Sequence, residues 1–395
     1  MTNSYDWIVV GNGFAGAALS YELVRLGFSV LVLEQDAIAH NATRFSYGGI
    51  PYWSATTPDL QTLFTEGIDR HRQLSDELEK STEFREVDLL LTVSPEDDSE
   101  AIATQYAHMS IPPTRIRVDE ALDIEPLLNP ASIIAAFTVR HGHVNPMAML
   151  YAYNQAFLRL GGTLRNEQVM GLTRMGDRMT GVQTPNQTYS AGCVAVCAGG
   201  LTRSLLKQVE ISVPCYYSKA EVIEAPPVDL QLQTLVMPAR IQRFGAEKVA
   251  GATNTASLWD EPGHELAPPV LDPGIVQFPD RHLCIGQLSR MLTDPNAVVN
   301  AAHSEEQLRT AISAYIPALK DIPGQWHSCI VAFSSDQKPL IGSIANWESL
   351  FLFSGFSSPF AMLPPLARRF AQAQAGTPDA LLPQFSPNRF DCSAS

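Results

Sequence analysis

The alternation of apolar and polar positions predicts a strand–turn–helix–strand unit at the start of the chain. Residues 7–10 (WIVV) form a continuous apolar run, which is typical of a parallel strand buried on both faces. Apolar residues then recur at helical spacing from 15 to 26, and Gly27 ends that segment. A second apolar run, 28–33, closes on Glu34. This order of elements favours a doubly wound α/β domain.

The turn between the first strand and the helix carries the motif G-x-G-x-x-G. Gly11 permits the tight turn, Gly13 lets the backbone approach a pyrophosphate, and Gly16 allows the helix to pack close to the strand. The helix N-terminus offers free N–H groups to the phosphates. Glu34 can accept hydrogen bonds from ribose hydroxyls. The motif predicts a dinucleotide cofactor, and by itself it does not separate FAD from NAD.

The rest of the chain adds a polar loop, a capped helix and several short strands. Residues 41–50 have no apolar period, so they form either a second loop along the cofactor or an ordinary surface loop. Asn145 and Pro146 are typical of a helix N-terminus. The strand-like segments between 211 and 325 predict an antiparallel sheet and are 219–225, 235–244, 274–278 and 282–288.

Charge and cysteine content narrow the class of protein. A net charge of −14 argues against nucleic acid as a partner. The six cysteines are scattered, so we expect core thiols and no disulfide framework. The sequence has neither a basic leader nor an apolar run of about 18 residues, which predicts a cytoplasmic protein without a transmembrane segment. We interpret His141 and His143 as loop residues, and we expect no metal site.

Taken together, these segments resemble the D-amino-acid-oxidase-like family of FAD oxidoreductases, which includes glycine oxidase and monomeric sarcosine oxidase. The resemblance is spread over most of the chain. It is carried by GNGFAG with Glu34, by TRFSYGGI, by GHVNPMAML through MTGVQTPNQTYSAGCVAVCAGG, and by SSDQKPLIG with LFLFSGFSSPFAMLPPLARRFA.

The resemblance implies a Rossmann-like FAD-binding domain with an inserted antiparallel-sheet (α+β) substrate domain. The FAD-binding domain would comprise 1–82, 140–210 and 326–395, and the substrate domain 83–139 and 211–325. The implied FAD-binding residues are Gly11, Gly13, Phe14, Ala15, Gly16, Glu34, Gln35, Thr43, Arg44, Ser46, Tyr47, Gly48, Gly49, Ile50, Val169, Ala198, Gly199, Cys329, Gly355, Phe356, Ser357, Ser358, Pro359 and Phe360.

The implied reaction is oxidation of the C–N bond of an amino acid or small amine, with hydride transfer to flavin N5 and hydrolysis of the imine. Members similar to glycine oxidase have an arginine for the substrate carboxylate where Val331 stands. Another arginine would have to replace it, and the candidates are Arg44, Arg240, Arg243 and Arg290. We favour Arg290 as the catalytic residue because its strand is expected near the flavin, with Tyr52 on the substrate side.

Two further positions leave the flavin chemistry open. Cys329 and Asp336 reproduce a spacing that marks a cysteine bonded covalently to flavin in the sarcosine-oxidase branch, and a buried thiol is the alternative. Met362 stands where that branch has a lysine, so a quinone-type acceptor is favoured over O2. A hydroxy acid or polyol substrate, or a flavoprotein with only a binding role, remain alternative functions.

Overall fold

The computed structural model describes residues 4–393, with side chains described up to residue 390. Residues 1–3 and 394–395 lie outside the described part, and so does the side chain of Cys392. These residues belong to the first and last segments, 1–82 and 326–395, of the predicted FAD-binding domain. The helices are α1 (Phe14–Arg25), α2 (Pro58–Glu77), α3 (Ser99–Tyr106), α4 (Val118–Ile124), α5 (Pro146–Arg159), α6 (Thr202–Lys207), α7 (Arg243–Ala250), α8 (Ala301–Tyr315) and α9 (Pro359–Gln374).

The strands belong to two sheets. In chain order they are β1 (Ser4–Val10), β2 (Val30–Glu34), β3 (Gly49–Ile50), β4 (Arg85–Val93), β5 (Thr114–Ile116), β6 (Ala135–His143), β7 (Thr163–Asn166), β8 (Gly171–Met175), β9 (Arg178–Gln183), β10 (Thr188–Val196), β11 (Cys215–Ala225), β12 (Leu235–Pro238), β13 (Val270–Gln277), β14 (Leu283–Arg290), β15 (Gln325–Ser334), β16 (Leu340–Ser343) and β17 (Leu350–Ser354).

The first sheet is parallel at its centre and has the order β16-β17-β10-β1-β2-β7. Strands β17, β10, β1, β2 and β7 run parallel, and β16 pairs antiparallel with β17 at the edge. The central strand β1 is covered on both faces, since Ile8 and Val9 are both fully buried. Helices α1, α5 and α9 pack together over one face of this sheet. The predicted strand–turn–helix–strand unit is therefore present as β1–α1–β2.

The second sheet is largely antiparallel and has the order β15-β11-β14-β13-β12-β4-β6-β3. Strands β3 and β15 belong to it, although their residues fall in segments that the sequence assigns to the cofactor domain. The domain boundaries themselves stay a prediction. Strands β13 and β14 pair antiparallel as a hairpin around Pro279-Asp280-Arg281, where Arg281 has a φ of 73°.

Two local predictions are wrong. The segment 235–244 is not one strand, because β12 ends at Pro238 and Arg243 begins α7. The Asp272 carboxylate accepts hydrogen bonds from the backbone N–H groups of Gln242 (2.7 Å) and Arg243 (3.0 Å), and this distant cap favours a helix start there. His141 and His143 lie on strand β6 and not in a loop.

Candidate functional site

The glycine motif forms a close junction between β1, α1 and β2. A Cβ atom at Gly16 would lie 1.9 Å from the carbonyl oxygen of Gly11. Gly11 has a φ of +102°, and a Cβ atom there would lie 2.7 Å from the carbonyl oxygen of Cys197. Glu34 closes the junction, since its Oε2 accepts a 2.7 Å hydrogen bond from the Asn12 N–H. The N–H groups of Ala15 and Gly16 in the first turn of α1 lack intrahelical partners, so the junction offers them to an anion at the helix N-terminus.

The loop 41–50 is anchored to this helix N-terminus. Thr43 Oγ1 accepts a 2.9 Å hydrogen bond from the Phe14 N–H, and Gly48 has a φ of +70°. A Cβ atom at Gly48 would lie 2.0 Å from the carbonyl oxygen of Val144, so this position favours glycine on two grounds. Arg44 turns away and forms a bidentate pair with Glu224, whose Oε2 is 3.0 Å from Arg44 Nη2.

A cavity of about 1100 Å³ extends from the α1 N-terminus to the face of the second sheet. Most predicted FAD-binding residues line it. They are Gly11, Gly13, Phe14, Ala15, Glu34, Gln35, Thr43, Ser46, Tyr47, Gly49, Val169, Ala198, Gly199, Cys329, Gly355, Phe356, Ser357, Ser358, Pro359 and Phe360. Gly16, Arg44, Gly48 and Ile50 do not line the cavity.

The start of α9 forms another wall of this cavity. Gly355 has a φ of +77° and leads the chain into the helix, where the Phe360 ring stacks on that of Phe14 at 4.9 Å between centroids. His71 on α2 donates a 2.8 Å hydrogen bond from Nε2 to the Phe360 carbonyl oxygen. Burial lowers the pKa of His71 to about 4, so the ring is neutral at physiological pH. Helix α2 therefore fixes the first turn of α9 beside the cavity.

The structure does not bring the two predicted catalytic residues to the cavity. Arg290 does not line it, and Arg290 Nε donates a 2.8 Å hydrogen bond to the fully buried Glu221. Tyr52 does not line it either, and its hydroxyl faces Glu86 at 3.4 Å. Their catalytic roles stay predictions, and the geometry favours other side chains.

Arg243 is the arginine that the geometry favours. It lines the cavity with only 13% of its side chain exposed. Its Nη2 donates a 3.1 Å hydrogen bond to the carbonyl oxygen of Ser357, which ties it to the loop before α9. Its Nε lies 3.6 Å from Glu247 Oε1. Of the predicted substitutes for an arginine at 331, Arg240 also lines the cavity, but 66% of its side chain is exposed.

A second buried cation in the cavity escaped the sequence analysis. Lys219 on β11 is 8% exposed, and its Nζ donates a 2.6 Å hydrogen bond to the Ala297 carbonyl oxygen. Met362, whose side chain was expected to matter for the electron acceptor, does not line the cavity. The signal that could have identified Lys219 is an alternating apolar pattern containing one lysine, as in KAEVIEA.

The second sheet gives the cavity an apolar wall. Leu235 and Met237 on β12 lie opposite Leu89 and Leu91 on β4 in the parallel register, so all four side chains share one face. All four line the cavity, together with Val276 on β13. The guanidinium of Arg243 and this apolar wall therefore lie in the same cavity as the glycine junction.

The described residues contain neither a metal-binding cluster nor a membrane-spanning helix. Within residues 4–393, no group of three or more His, Cys, Asp and Glu side chains is arranged to hold a metal ion. None of the helices there has the length and apolar character needed to cross a membrane. The cysteines whose side chains are described carry free thiols and are Cys193, Cys197, Cys215, Cys284 and Cys329.

Comparison with known sequences identifies a family. Residues 6–373 match the family model described as FAD dependent oxidoreductase. The chain is 25% identical over 275 residues to glycine oxidase from Geobacillus kaustophilus, which covers 66% of this chain and 73% of that protein. It is 32% identical over 233 residues to monomeric sarcosine oxidase from Streptomyces avermitilis, covering 54% of this chain and 56% of that protein.

Solved structures share the fold over nearly the whole chain. The crystal structure of glycine oxidase from Geobacillus kaustophilus has a TM-score of 0.80 at 20% identity and covers 98% of this chain and 99% of that one. L-proline dehydrogenase from P. horikoshii has a TM-score of 0.79 at 19% identity, with 99% of each chain covered. These likenesses confirm the predicted fold class, an α/β FAD-binding domain with a second, largely antiparallel sheet.

Proposed function

Because the chain belongs to the family of FAD-dependent oxidoreductases, as its sequence predicts, we propose that it oxidises the C–N bond of an amino acid. The family match establishes an FAD enzyme of the type that acts on amino acids or amines. The family match does not say whether the substrate carries a carboxylate, and that part is our proposal. The observation that carries it is a single cavity that joins the glycine junction of α1 to the buried guanidinium of Arg243.

The residues of the cavity fit FAD. The close approaches at Gly11 and Gly16 leave room for no side chain, and the α1 N-terminus favours the charge of a pyrophosphate. Glu34 already accepts a hydrogen bond from the backbone of Asn12, which fixes its carboxylate at the end of β2 for a ribose hydroxyl. When bound, FAD supplies the ring that accepts the hydride.

Arg243 is suited to hold a substrate carboxylate. Its tether to Ser357 places the guanidinium beside the loop that is predicted to contact the flavin. Among the described residues, Nη1 of Arg243 makes no hydrogen bond, so it can donate to a ligand. A bidentate arginine–carboxylate pair would orient the substrate, and the wall of Leu89, Leu235 and Met237 would contact an apolar side chain.

The attachment of FAD and the electron acceptor are proposed separately. Cys329 lines the cavity, and burial raises its pKa to about 12, so the thiol stays protonated and is a poor nucleophile. We therefore expect non-covalent FAD. Met362 lacks the positive charge of the lysine that it replaces, which favours a quinone-type acceptor. Lys219 supplies a buried positive charge in the cavity, so the site is compatible with O2 as well. A cytoplasmic location stays a prediction.

The first test combines the spectrum of the protein with substitution of Arg243. We expect flavin absorption bands that are released into the supernatant on acid precipitation, and bleaching by an amino acid under anaerobic conditions. Arg243→Met should weaken the apparent binding of that amino acid roughly 10- to 150-fold, because a hydrogen bond to a charged group contributes roughly 1.5–3 kcal/mol.

Arg240→Met is the matched control, since Arg240 also lines the cavity but is mostly exposed. It should change the apparent binding less than about fivefold. Equal effects of the two substitutions would contradict the role of Arg243. Bleaching by a hydroxy acid without release of ammonia or amine would favour the alternative substrate class, and a flavin that no substrate bleaches would favour a binding role.

A further inference from the structure

We propose that His141 donates a hydrogen bond from Nε2 to the bound flavin beside Gly49. The inference rests on the proposed binding of FAD along the loop 41–50. It concerns a residue pair, His141 and Trp53, that neither the glycine motif nor the predicted catalytic residues include. Both side chains line the cavity and both are buried, at 6% and 5% exposure.

The Trp53–His141 hydrogen bond fixes the tautomer of the histidine. Trp53 Nε1 lies 3.0 Å from His141 Nδ1. An indole N–H can only donate, so Nδ1 must be the acceptor and must carry no proton. In the neutral ring the proton then resides on Nε2. Trp53 therefore makes His141 a hydrogen-bond donor at Nε2.

The position of Gly49 shows where this donor lies. A Cβ atom on Gly49 would be 2.8 Å from His141 Nε2, so the absence of a side chain leaves Nε2 directly against the loop backbone. In the described part of the chain, Nε2 makes no hydrogen bond to protein. Because His141 lines the cavity, this donor is free to bond to a ligand there. The acceptor atoms along the edge of a flavin ring are suitable partners at this point of the cavity.

The donor stays uncharged over the physiological pH range. Burial lowers the pKa of His141 to about 3, so protonation does not compete with the fixed tautomer. A neutral donor strengthens its hydrogen bond when the acceptor gains negative charge. Since reduction adds electron density to the flavin ring, His141 would stabilise the reduced state more than the oxidised state.

The test measures the bound flavin itself rather than turnover. Loss of one such hydrogen bond is expected to disfavour reduction about tenfold in His141→Leu, which for a two-electron couple is about 30 mV. The absorption spectrum of the bound flavin should shift as well. His141→Gln, which keeps an amide donor near the Nε2 position, should stay within about threefold of the unsubstituted protein.

His143→Leu is the matched control. His143 is buried on the same strand, two residues away, but it does not line the cavity. It should leave the potential and the spectrum of the flavin unchanged. A His141→Leu protein that binds FAD with an unchanged potential would overturn the inference and would leave the proposed function intact. Failure of the unsubstituted protein to bind FAD would instead overturn the proposed function.

Trp53→Phe keeps the experiment decisive if His141→Leu does not fold. This substitution retains His141 but removes the indole N–H that bonds to Nδ1. The ring proton can then occupy either nitrogen. We expect a shift of the potential in the same direction as for His141→Leu, and smaller than tenfold. A potential equal to that of the unsubstituted protein would contradict the fixed tautomer.

Discussion

At the scale of single residues, the lack of a side chain at Gly16 matters more than its helix propensity. Gly16 lies in α1 and Gly245 lies in α7, so glycine to alanine would ordinarily stabilise both helices by about 0.5–1 kcal/mol. The surroundings differ. A Cβ atom at Gly16 would lie 1.9 Å from a backbone oxygen, whereas one at Gly245 would meet nothing within 4 Å.

We therefore predict opposite signs for the same substitution. Gly16→Ala should lower the free energy of unfolding by about 1–3 kcal/mol, because the β1–α1 junction must open to admit the methyl group. Gly245→Ala should raise it by about 0.5–1 kcal/mol. Urea unfolding of the two variants measures both changes. Equal stability of the two variants would show that the close approach at Gly16 costs nothing.

Residue-level prediction from sequence succeeded where the contacts are local and failed where they are not. Gly11, Gly13 and Gly16 could be assigned because their spacing alone fixes a turn and a helix start. Arg243 and His141 could not be selected, because their surroundings come from segments far away in sequence. Arg243 reaches Ser357, 114 residues along the chain, and His141 reaches Trp53 across 88 residues.

At the scale of elements, the pattern of apolar positions does not predict helix α2. Polar and charged side chains buried on this helix are part of the reason. Arg70 and His71 are both buried on this helix, so its buried face is not uniformly apolar. Arg70 Nη2 lies 2.8 Å from Glu22 Oε1 on α1 and 3.0 Å from Glu77 Oε1. This cluster joins α1 to α2, and an apolar-periodicity rule cannot detect it.

Removing the buried cation of this cluster should be costly. Arg70→Met leaves Glu22, 6% exposed, with only the partly exposed Arg25, 3.1 Å away, as a cationic partner among the described residues, and should lower the free energy of unfolding by about 1.5–3 kcal/mol. Arg72→Met on the same helix removes an arginine that is 45% exposed and should cost less than about 1 kcal/mol. Thermal or urea unfolding compares the two. A small loss in both variants would mean that Arg25 alone is enough to compensate the charge of Glu22.

At the scale of the whole molecule, the two sheets and their order were predicted in class but not in detail. The parallel centre of the first sheet follows from the β1–α1–β2 pattern at the start of the chain. The membership of β3 and β15 in the second sheet depends on pairings with β6 and β11 that are distant in sequence. Long-range pairing of this kind leaves no local pattern, because each strand alternates in the same way whichever neighbour it has.

The buried histidines make the stability of the whole molecule depend on pH. His71 is fully buried with its pKa lowered to about 4, against 6.5 for an ordinary histidine. Between these two values the unfolded chain binds the proton that the folded protein does not. Stability should therefore fall as the pH is lowered from about 6.5 towards 4. At pH 5.5 the loss from His71 alone amounts to about 1.4 kcal/mol relative to pH 7.5.

His71→Gln isolates this contribution, because glutamine keeps an amide N–H for the Phe360 carbonyl oxygen but does not titrate. The free energy of unfolding of this variant should decrease by about 1.4 kcal/mol less than that of the unsubstituted protein between pH 7.5 and 5.5. His303→Gln, at a position 57% exposed, should lose as much stability between pH 7.5 and 5.5 as the unsubstituted protein does. If both variants lose as much stability as the unsubstituted protein, His71 binds a proton in the folded state as readily as in the unfolded state. The α2–α9 contact beside the cavity would then persist with a charged histidine.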